Sequence, residues 1–458
     1  MSAPAPARPN VLFIVADDLN AWIGALGRHP DAITPNIDAL AARGTLFTHA
    51  YCSAPYCNAS RMGVFTGCLP ATTGIYQNEP FWQAPGRRRT LVERFRDAGY
   101  YTIGAGKVFH GVFDYAVAGR KKSSLAPWCE IENRADLWNR FAENVADALP
   151  DGRPLNGMFD FSNFDAVPPM YRAFDWGPLP DDRIEDMPDA AVARTIGAFL
   201  RRPEKEPFFC AAGLYKPHLP WHVPNRFFDL YDVDTLSLPV VKEDDLDDVP
   251  PIARNWALSP PDHELVIRHR QWRPAVRAYL ASISYCDYVI GELIAALDAG
   301  PAAKETIVVL WGDNGFHLGE KLHWRKFVLW EEATLVPLIV TLPGQRGANR
   351  RFNEPVSLTD IFPTLLDLCG LAPEGGIDGE SLSSTLRGAQ MQRARPVTMT
   401  WGRGNHSIRT RDWRYTRYSD RTEELYDHTA DAHEWTNLAR TKAFESICKT
   451  LRRSLPRL

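Results

Sequence analysis

The chain is poor in features that would narrow its class at once. Only eight of 458 residues are cysteine, scattered with no C-x-x-C spacing. That argues against a disulfide framework or a zinc site and leaves reduced thiols as the expectation. An excess of one charge is missing too: the formal net charge is -4. Nothing global draws the protein to nucleic acid or an anionic membrane, so any basic site must be local. Low-complexity tracts and internal repeats are absent. The first apolar run, VLFIVA at 11–16, is far too short to cross a bilayer and stops at two aspartates. The prolines before it, Pro4, Pro6 and Pro9, would break a secretion leader. A cytoplasmic protein not associated with membranes is the expectation.

What is present is a chain too long for one ordinary core, with 45% hydrophobic and 24% charged residues, which predicts a large soluble α/β domain and a smaller appended part. The run 11–16 reads as a strand buried on both faces, the setting of a parallel sheet. Residues 34–44 place a capping threonine, a proline at the first helical position and a closing glycine in order, which predicts a helix. The alternation continues with helix 90–98, strand 100–103, helix 190–200, strand 208–214, helix 276–297 and strand 306–311. This pattern predicts a mostly parallel sheet covered by helices. Polar residues just past those strands (Asp17, Lys107, Lys216, His218 and Asp313) then gather at one carboxyl edge, where such sheets bind ligands. Residues 115–185, with weak periodicity, read as a long excursion beside that edge. Beyond Pro343 and Gly344 the pattern changes to a helix over 356–369 and short strands at 397–401, 413–418 and 424–426. The division is therefore a catalytic part, 1–345, and a C-terminal part, 346–458, with a helix returning to the core and a small antiparallel sheet.

Asp17-Asp18 and Asp313-Asn314 each follow a buried strand. Asp17-Asp18 taken alone reads more readily as a turn or a helix cap. Together the two pairs offer four oxygen-bearing side chains suited to a hard cation, calcium above magnesium, with manganese an alternative. The Gly104–Lys107 segment lacks phosphate-loop spacing and has Val108 where serine or threonine should stand, so it is not one. Lys107, His110 and His218 instead join the case through their shared placement.

In this order, the segments RPNVLFIVADD (8–18), TPNIDAL (34–40), CNASR (57–61), GKVFH (106–110), YKPH (215–218), GDNG (312–315), LGE (318–320) with WRK (324–326), and ELYD (424–427) resemble a type I sulfatase of the alkaline-phosphatase superfamily. The pattern is similar to the iduronate-2-sulfatase and choline-sulfatase branches. The resemblance implies that Cys57, in a C-x-A-x-R variant of C-x-P-x-R, is oxidised by a separate maturation enzyme to formylglycine. It implies metal ligation by Asp17, Asp18, Asp313 and Asn314, completed by the modified Cys57. It further implies that Arg61 and Lys107 hold the aldehyde hydrate, that His110 takes a proton, and that His218 with Lys326 binds sulfate and protonates the leaving oxygen.

The expected reaction is hydrolysis of a small-molecule sulfate monoester to an alcohol and inorganic sulfate. A formylglycine-dependent phosphonate monoester or phosphodiester hydrolase, and a non-catalytic binder of sulfated ligands, are the alternatives. Trp22, Tyr76, Phe81, Trp82, Trp128 and Trp330 are candidates to line the leaving-group pocket, with choline, aryl and sugar esters all open. A symmetric homo-oligomer is compatible with the chain.

Overall fold

The computed structural model describes residues 8–79, 87–110, 116–117, 120–121, 135–142, 153–160, 167–203, 205, 207–345, 347–389 and 395–456. Phe81, Trp82, Trp128 and much of the 115–185 excursion lie outside them. The strand read from VLFIVA is β1 (Asn10–Ala16), buried along its whole length. Its side chains alternate between two cores, with Val11, Phe13 and Val15 on one face of the sheet and Leu12, Ile14 and Ala16 on the other. A strand apolar at every position is stable only where both faces are covered, and here helices cover both.

Following chain order, α1 (Pro35–Arg43), β2 (Thr45–Tyr51), α2 (Cys57–Thr66), α3 (Leu91–Asp97) and β3 (Tyr101–Gly106) lead to α4 (Pro188–Arg201) and β4 (Phe208–Leu214). Then come α5 (Trp272–Asp298), β5 (Thr306–Gly312), β6 (Leu335–Thr341), β7 (Arg350–Phe352) and α6 (Ile361–Leu368). The nine-stranded sheet runs β7-β2-β6-β5-β1-β4-β3 and ends on the short strand Arg140–Phe141, while Val356–Ser357 also pairs with β2. β1 is parallel to β4 and β5, and β3 to β4. β6 is antiparallel to both neighbours, so the sheet is mixed but mostly parallel, as expected.

Local chemistry accounts for the ends of these elements. Thr90 and Glu93 form a reciprocal capping box on α3, which satisfies two otherwise orphaned N–H groups. Thr34 sits at the N-cap of α1 without capping it by its side chain; its hydroxyl accepts from the Gly24 N–H and donates to Asp38. The helix expected over 356–369 is shorter, because Ser357 and Asp360 first build a turn of their own with a capping box. α5 is apolar and long enough to cross a membrane by length and composition, yet 72% of its most apolar stretch is buried inside the fold, where it packs against α4, α1 and a two-stranded sheet formed by Trp176–Leu179 and Trp221–Pro224.

The C-terminal part adds a separate four-stranded antiparallel sheet in sequential order: β8 (Val397–Thr400), β9 (His406–Arg409), β10 (Trp413–Arg417) and β11 (Glu423–Asp427), followed by α7 (Glu445–Arg452). His406 in β9 is 4% exposed. Its Nδ1 lies 2.9 Å from the Thr400 hydroxyl while its Nε2 has no partner, and burial pushes its pKa down to about 4. The unfolded chain takes up this proton near pH 6.5 and the folded chain only near pH 4. The stabilising contribution is therefore present above pH 6.5 and is lost as pH falls toward 4. Urea midpoints should fall across that window, and His406→Gln should flatten the fall by up to about 2–3 kcal/mol. An unchanged pH slope in the variant would remove His406 from the account.

Candidate active site

The strands β1 and β5 end side by side, so Asp17-Asp18 and Asp313-Asn314 meet at the carboxyl edge. The Asp313 N–H donates to the Ala16 carbonyl at 3.2 Å, and the Asp18 N–H donates to Asp313 Oδ1 at 2.9 Å. Asp18 has φ 59°, a left-handed turn that redirects the chain immediately after the strand. Its carbonyl accepts from the Tyr279 hydroxyl of α5 at 2.7 Å, which fastens the strained residue to the longest helix of the core.

Cys57 is the first residue of α2 and 4% exposed. Ligand atoms of Asp17, Asp18, Cys57 and Asp313 all lie within 4.8 Å of one another. Asn314 donates its amide N–H groups to Asp18 Oδ1 at 2.7 Å and to the Gly315 carbonyl at 3.0 Å. Its own Oδ1 is buried with no partner. A buried acceptor without a donor, beside three carboxylates, fits a hard cation.

Four basic side chains close around this set. Arg61, one turn into α2 and fully buried, donates from Nε to Asp313 at 2.9 Å and from Nη2 to Asp17 at 3.2 Å. Its Nη1 reaches the carbonyls of Lys107 and Val108, so one guanidinium ties together the ends of β1, β3 and β5. Lys107 pairs with Asp17 and Lys326 with Asp18. The Lys326 ammonium is also 2.9 Å from Cys57 Sγ. His218 Nε2 is 3.7 Å from Asp18 Oδ2, with 26% of its side chain exposed. The approach of β3 to β4 that delivers Lys107 requires glycine: Gly106 has φ +74°, and a Cβ on Gly213 would stand 2.1 Å from the Lys107 carbonyl carbon.

Burial alone would raise the Asp17 carboxyl, but Lys107, His218, Arg61 and Lys326 outweigh it and hold the group well below its usual range. Burial and Asp17 together push Asp313 up to about 7 against the pull of Arg61. Burial and the carboxylate of Asp17 push the Cys57 thiol well up, so the unmodified residue is a neutral thiol and a weak nucleophile. Burial and Lys107 push His110 well below its ordinary value, and neither of its buried ring nitrogens has a partner. Burial brings His218 down to about 4, with Asp18 opposing. Both rings are neutral near pH 7. Burial disfavours the charge on Lys326, yet Asp18, with Asp17 behind it, more than compensates, and it stays an ammonium.

Of the sequence candidates, Asp17, Asp18, Cys57, Arg61, Lys107, His218, Asp313, Asn314 and Lys326 are thus brought together, and His110 follows the strand that carries Lys107. Lys216 is built in differently: its ammonium donates to the Pro220 carbonyl, and Asp189 at the start of α4 accepts the N–H groups of Tyr215 and Lys216, which braces the segment that presents His218. Two aromatic candidates belong to the core. Trp22 is 3% exposed and packs on His29 and Tyr279; Trp330 is 1% exposed and donates to Glu424. Half-buried aromatics that pattern reading passed over stand beside the site: Tyr56, Phe327 and Trp401. Their signal was adjacency, since Tyr56 precedes Cys57 and Phe327 follows Lys326.

The family model described as Sulfatase matches residues 9–371, and the one described as N-sulphoglucosamine sulphohydrolase, C-terminal, matches 319–458. A sulfatase of Formosa agariphila is 35% identical over 98% of this chain and 87% of its own length. Human iduronate 2-sulfatase is 29% identical over 79% of this chain and 69% of its own. In structure, a phosphonate monoester hydrolase of Silicibacter pomeroyi superposes with a TM-score of 0.74 at 23% identity, covering 97% of this chain and 94% of that one, a likeness of fold. With a family model spanning most of its length and a relative of that identity over nearly all of it, the chain belongs to the sulfatase family and is a sulfuric ester hydrolase.

Proposed function

We propose that the enzyme acts through a formylglycine made from Cys57 and one divalent cation, calcium before magnesium or manganese, held by Asp17, Asp18, Asp313 and Asn314. The observation that carries this reading is the convergence of the Asp17, Asp18 and Asp313 carboxylates on Cys57, with Asn314 hydrogen-bonded to Asp18 and its own Oδ1 buried and unsatisfied. Three carboxylates and an amide oxygen are the ligand chemistry that calcium accepts most readily. When present, a formylglycine at residue 57 would supply the nucleophilic oxygen and a bound cation would offset charge on the sulfuryl oxygens.

The chain's own residues do the rest. Arg61 and Lys107 lock the Asp17 and Asp313 carboxylates and so set where residue 57 meets sulfur. Lys326, charged and 2.9 Å from the residue-57 side chain, binds the sulfate as negative charge builds on its oxygens. His110, neutral and with both ring nitrogens buried without partners, would accept a proton from residue 57, and His218 would serve the leaving-group oxygen on the exposed side. Because Cys57 is 4% exposed in a buried helix, a maturation enzyme has to reach it before α2 packs. Ala59 replaces the proline of the usual recognition segment.

The test is intact-peptide mass spectrometry across Cys57 on protein from its native host, alongside turnover of an aryl sulfate. Formylglycine with turnover is the expected result; an unmodified thiol in fully active protein would sink the reading. Dialysis against a calcium chelator should abolish turnover and lower the melting temperature by about 5 °C or more, with calcium restoring both. Activity indifferent to chelation would refute the metal assignment. The likeness to a phosphonate monoester hydrolase motivates a direct comparison: kcat/KM for an aryl sulfate should exceed that for the matching phosphonate monoester by about tenfold or more, a difference of about 1.4 kcal/mol. The reverse order would move the enzyme to the phosphonate class.

A further inference from the structure

Three partly exposed aromatic rings border the nucleophile. Tyr56, the residue before Cys57, stacks on Trp401 with centroids 5.3 Å apart and planes 17° apart. Phe327, the residue after Lys326, lies 5.2 Å from Tyr56 and 5.6 Å from Trp401. The Lys326 ammonium, itself 2.9 Å from Cys57 Sγ, is 5.9 Å from the Phe327 ring. The wall therefore begins within one residue of the reacting centre on two sides.

Its third member comes from the other end of the chain. Trp401 opens the turn between β8 and β9, which closes through the Trp401 N–H to the Asn405 carbonyl and the Asn405 amide back to the Trp401 carbonyl. Gly402 and Gly404 take φ of 63° and 83°, conformations other residues resist. The Thr400 N–H donates to the Ser53 carbonyl at 2.9 Å, which pins this turn to the segment entering α2. Between the two glycines stands Arg403, exposed, its guanidinium 5.0 Å from the Tyr76 ring. The segment carrying Tyr76 is in turn held to α2 by Asn58, whose amide donates to the Glu79 carbonyl at 2.6 Å.

We propose that the β8–β9 turn is the leaving-group specificity loop of this sulfatase, with Tyr56, Phe327 and Trp401 packing a ring and Arg403 pairing with an anionic group on it. The substrate class is then a sulfated acidic saccharide. This assignment rests on the sulfate-ester reading of the Cys57 site and narrows it. Flat aromatic surface suits the apolar face of a ring, and an exposed guanidinium suits a carboxylate or second sulfate. A quaternary ammonium, the other ligand that aromatic walls attract, meets two cations here, Lys326 and Arg403.

Turnover of a sulfated uronate, an uncharged hexose sulfate, a nitrophenyl sulfate and choline-O-sulfate by wild type, Trp401→Ala and Arg403→Gln tests this. Wild type should prefer the uronate. Arg403→Gln should lose about tenfold or more in kcat/KM on it and less than about twofold on the hexose ester. Trp401→Ala should lose about tenfold on both sugar esters. Competitive inhibition by inorganic sulfate should stay within about twofold in both variants, a readout that general damage to the site would move. Preference for choline-O-sulfate, or equal losses on every ester, would overturn the proposal. Affinity of Cys57→Ala protein for the sulfated uronate separates the two readings because it needs no turnover. Weakening by the two loop substitutions supports the loop even if the formylglycine chemistry fails, and unchanged affinity overturns the loop even if that chemistry holds.

Discussion

Arg414→Leu should cost about 3–5 kcal/mol of stability, read as a fall in the urea midpoint, because it strands two buried carboxylates. Arg414 is fully buried on β10; its ion pair to Glu331 joins the C-terminal sheet to the catalytic core, while Glu434, from the C-terminal part itself, pairs with the same guanidinium. Its Nη groups also donate to the Leu329 carbonyl at 2.9 Å and the Thr334 hydroxyl at 3.1 Å. Glu331 in turn accepts from Tyr51 of β2 at 2.9 Å, and the Glu331 N–H donates to Glu434 at 2.9 Å. Burial alone would raise Glu331, but Arg409, His428 and Arg414 outweigh it and hold it well below its ordinary range; Glu434 is lowered to about 2 against burial, chiefly by Arg414. Glu331, His428 and Glu434 also have the donor spacing of a metal site, yet guanidinium groups supply the positive charge there. Adding Glu331→Gln and Glu434→Gln to the arginine variant should recover part of the loss, since the stranded charges are the cost. A loss below about 1 kcal/mol would mean that this network contributes little to holding the parts together.

The same contrast between pattern and placement runs through the rest of the molecule. β1, β4 and β5 were legible because strands buried on both faces must be apolar at every position. β6 was not, because Pro337 interrupts its run; the proline is accommodated where the register with β2 shifts between Val336 and Leu338, the kind of irregularity that tolerates a residue without an N–H. β2 carries Thr48 and His49 at half-buried positions, which blurs its period. The acidic pairs could be placed together from sequence because parallel strands end at one edge. Lys326 could not: it lies between Arg325 at φ 74° and Phe327 at φ 78°, a twist that no periodicity announces, and only the family resemblance pointed to it. Aromatic residues were the least readable. Trp22 and Trp330 carry the same side chain as Trp401, and only burial separates packing from a surface beside the site.

Cys57→Ala should abolish turnover while leaving a folded protein that still binds calcium and sulfate. On the mechanism proposed above residue 57 is the nucleophile, and removing it costs on the order of 10⁴–10⁶-fold in kcat. The structural cost is small by comparison. The thiol is neutral, held there by burial and Asp17, so its loss strands no charge, and Lys326 keeps its pairing with Asp18. A cavity the size of one sulfur at the start of α2 should cost about 1–2 kcal/mol. Asp17, Asp18, Asp313 and Asn314 remain in place through Arg61, Lys107, the Asp18 N–H to the Asp313 carboxylate and the backbone pairing of β1 with β5, none of which passes through residue 57. Calcium titration by calorimetry should therefore stay within about tenfold of wild type, allowing for one lost ligand. Turnover in the alanine variant above about 1% of wild type would show that some group other than residue 57 attacks sulfur. Arg61, Lys107, His110, His218 and Lys326 would then have to be reassigned around that group.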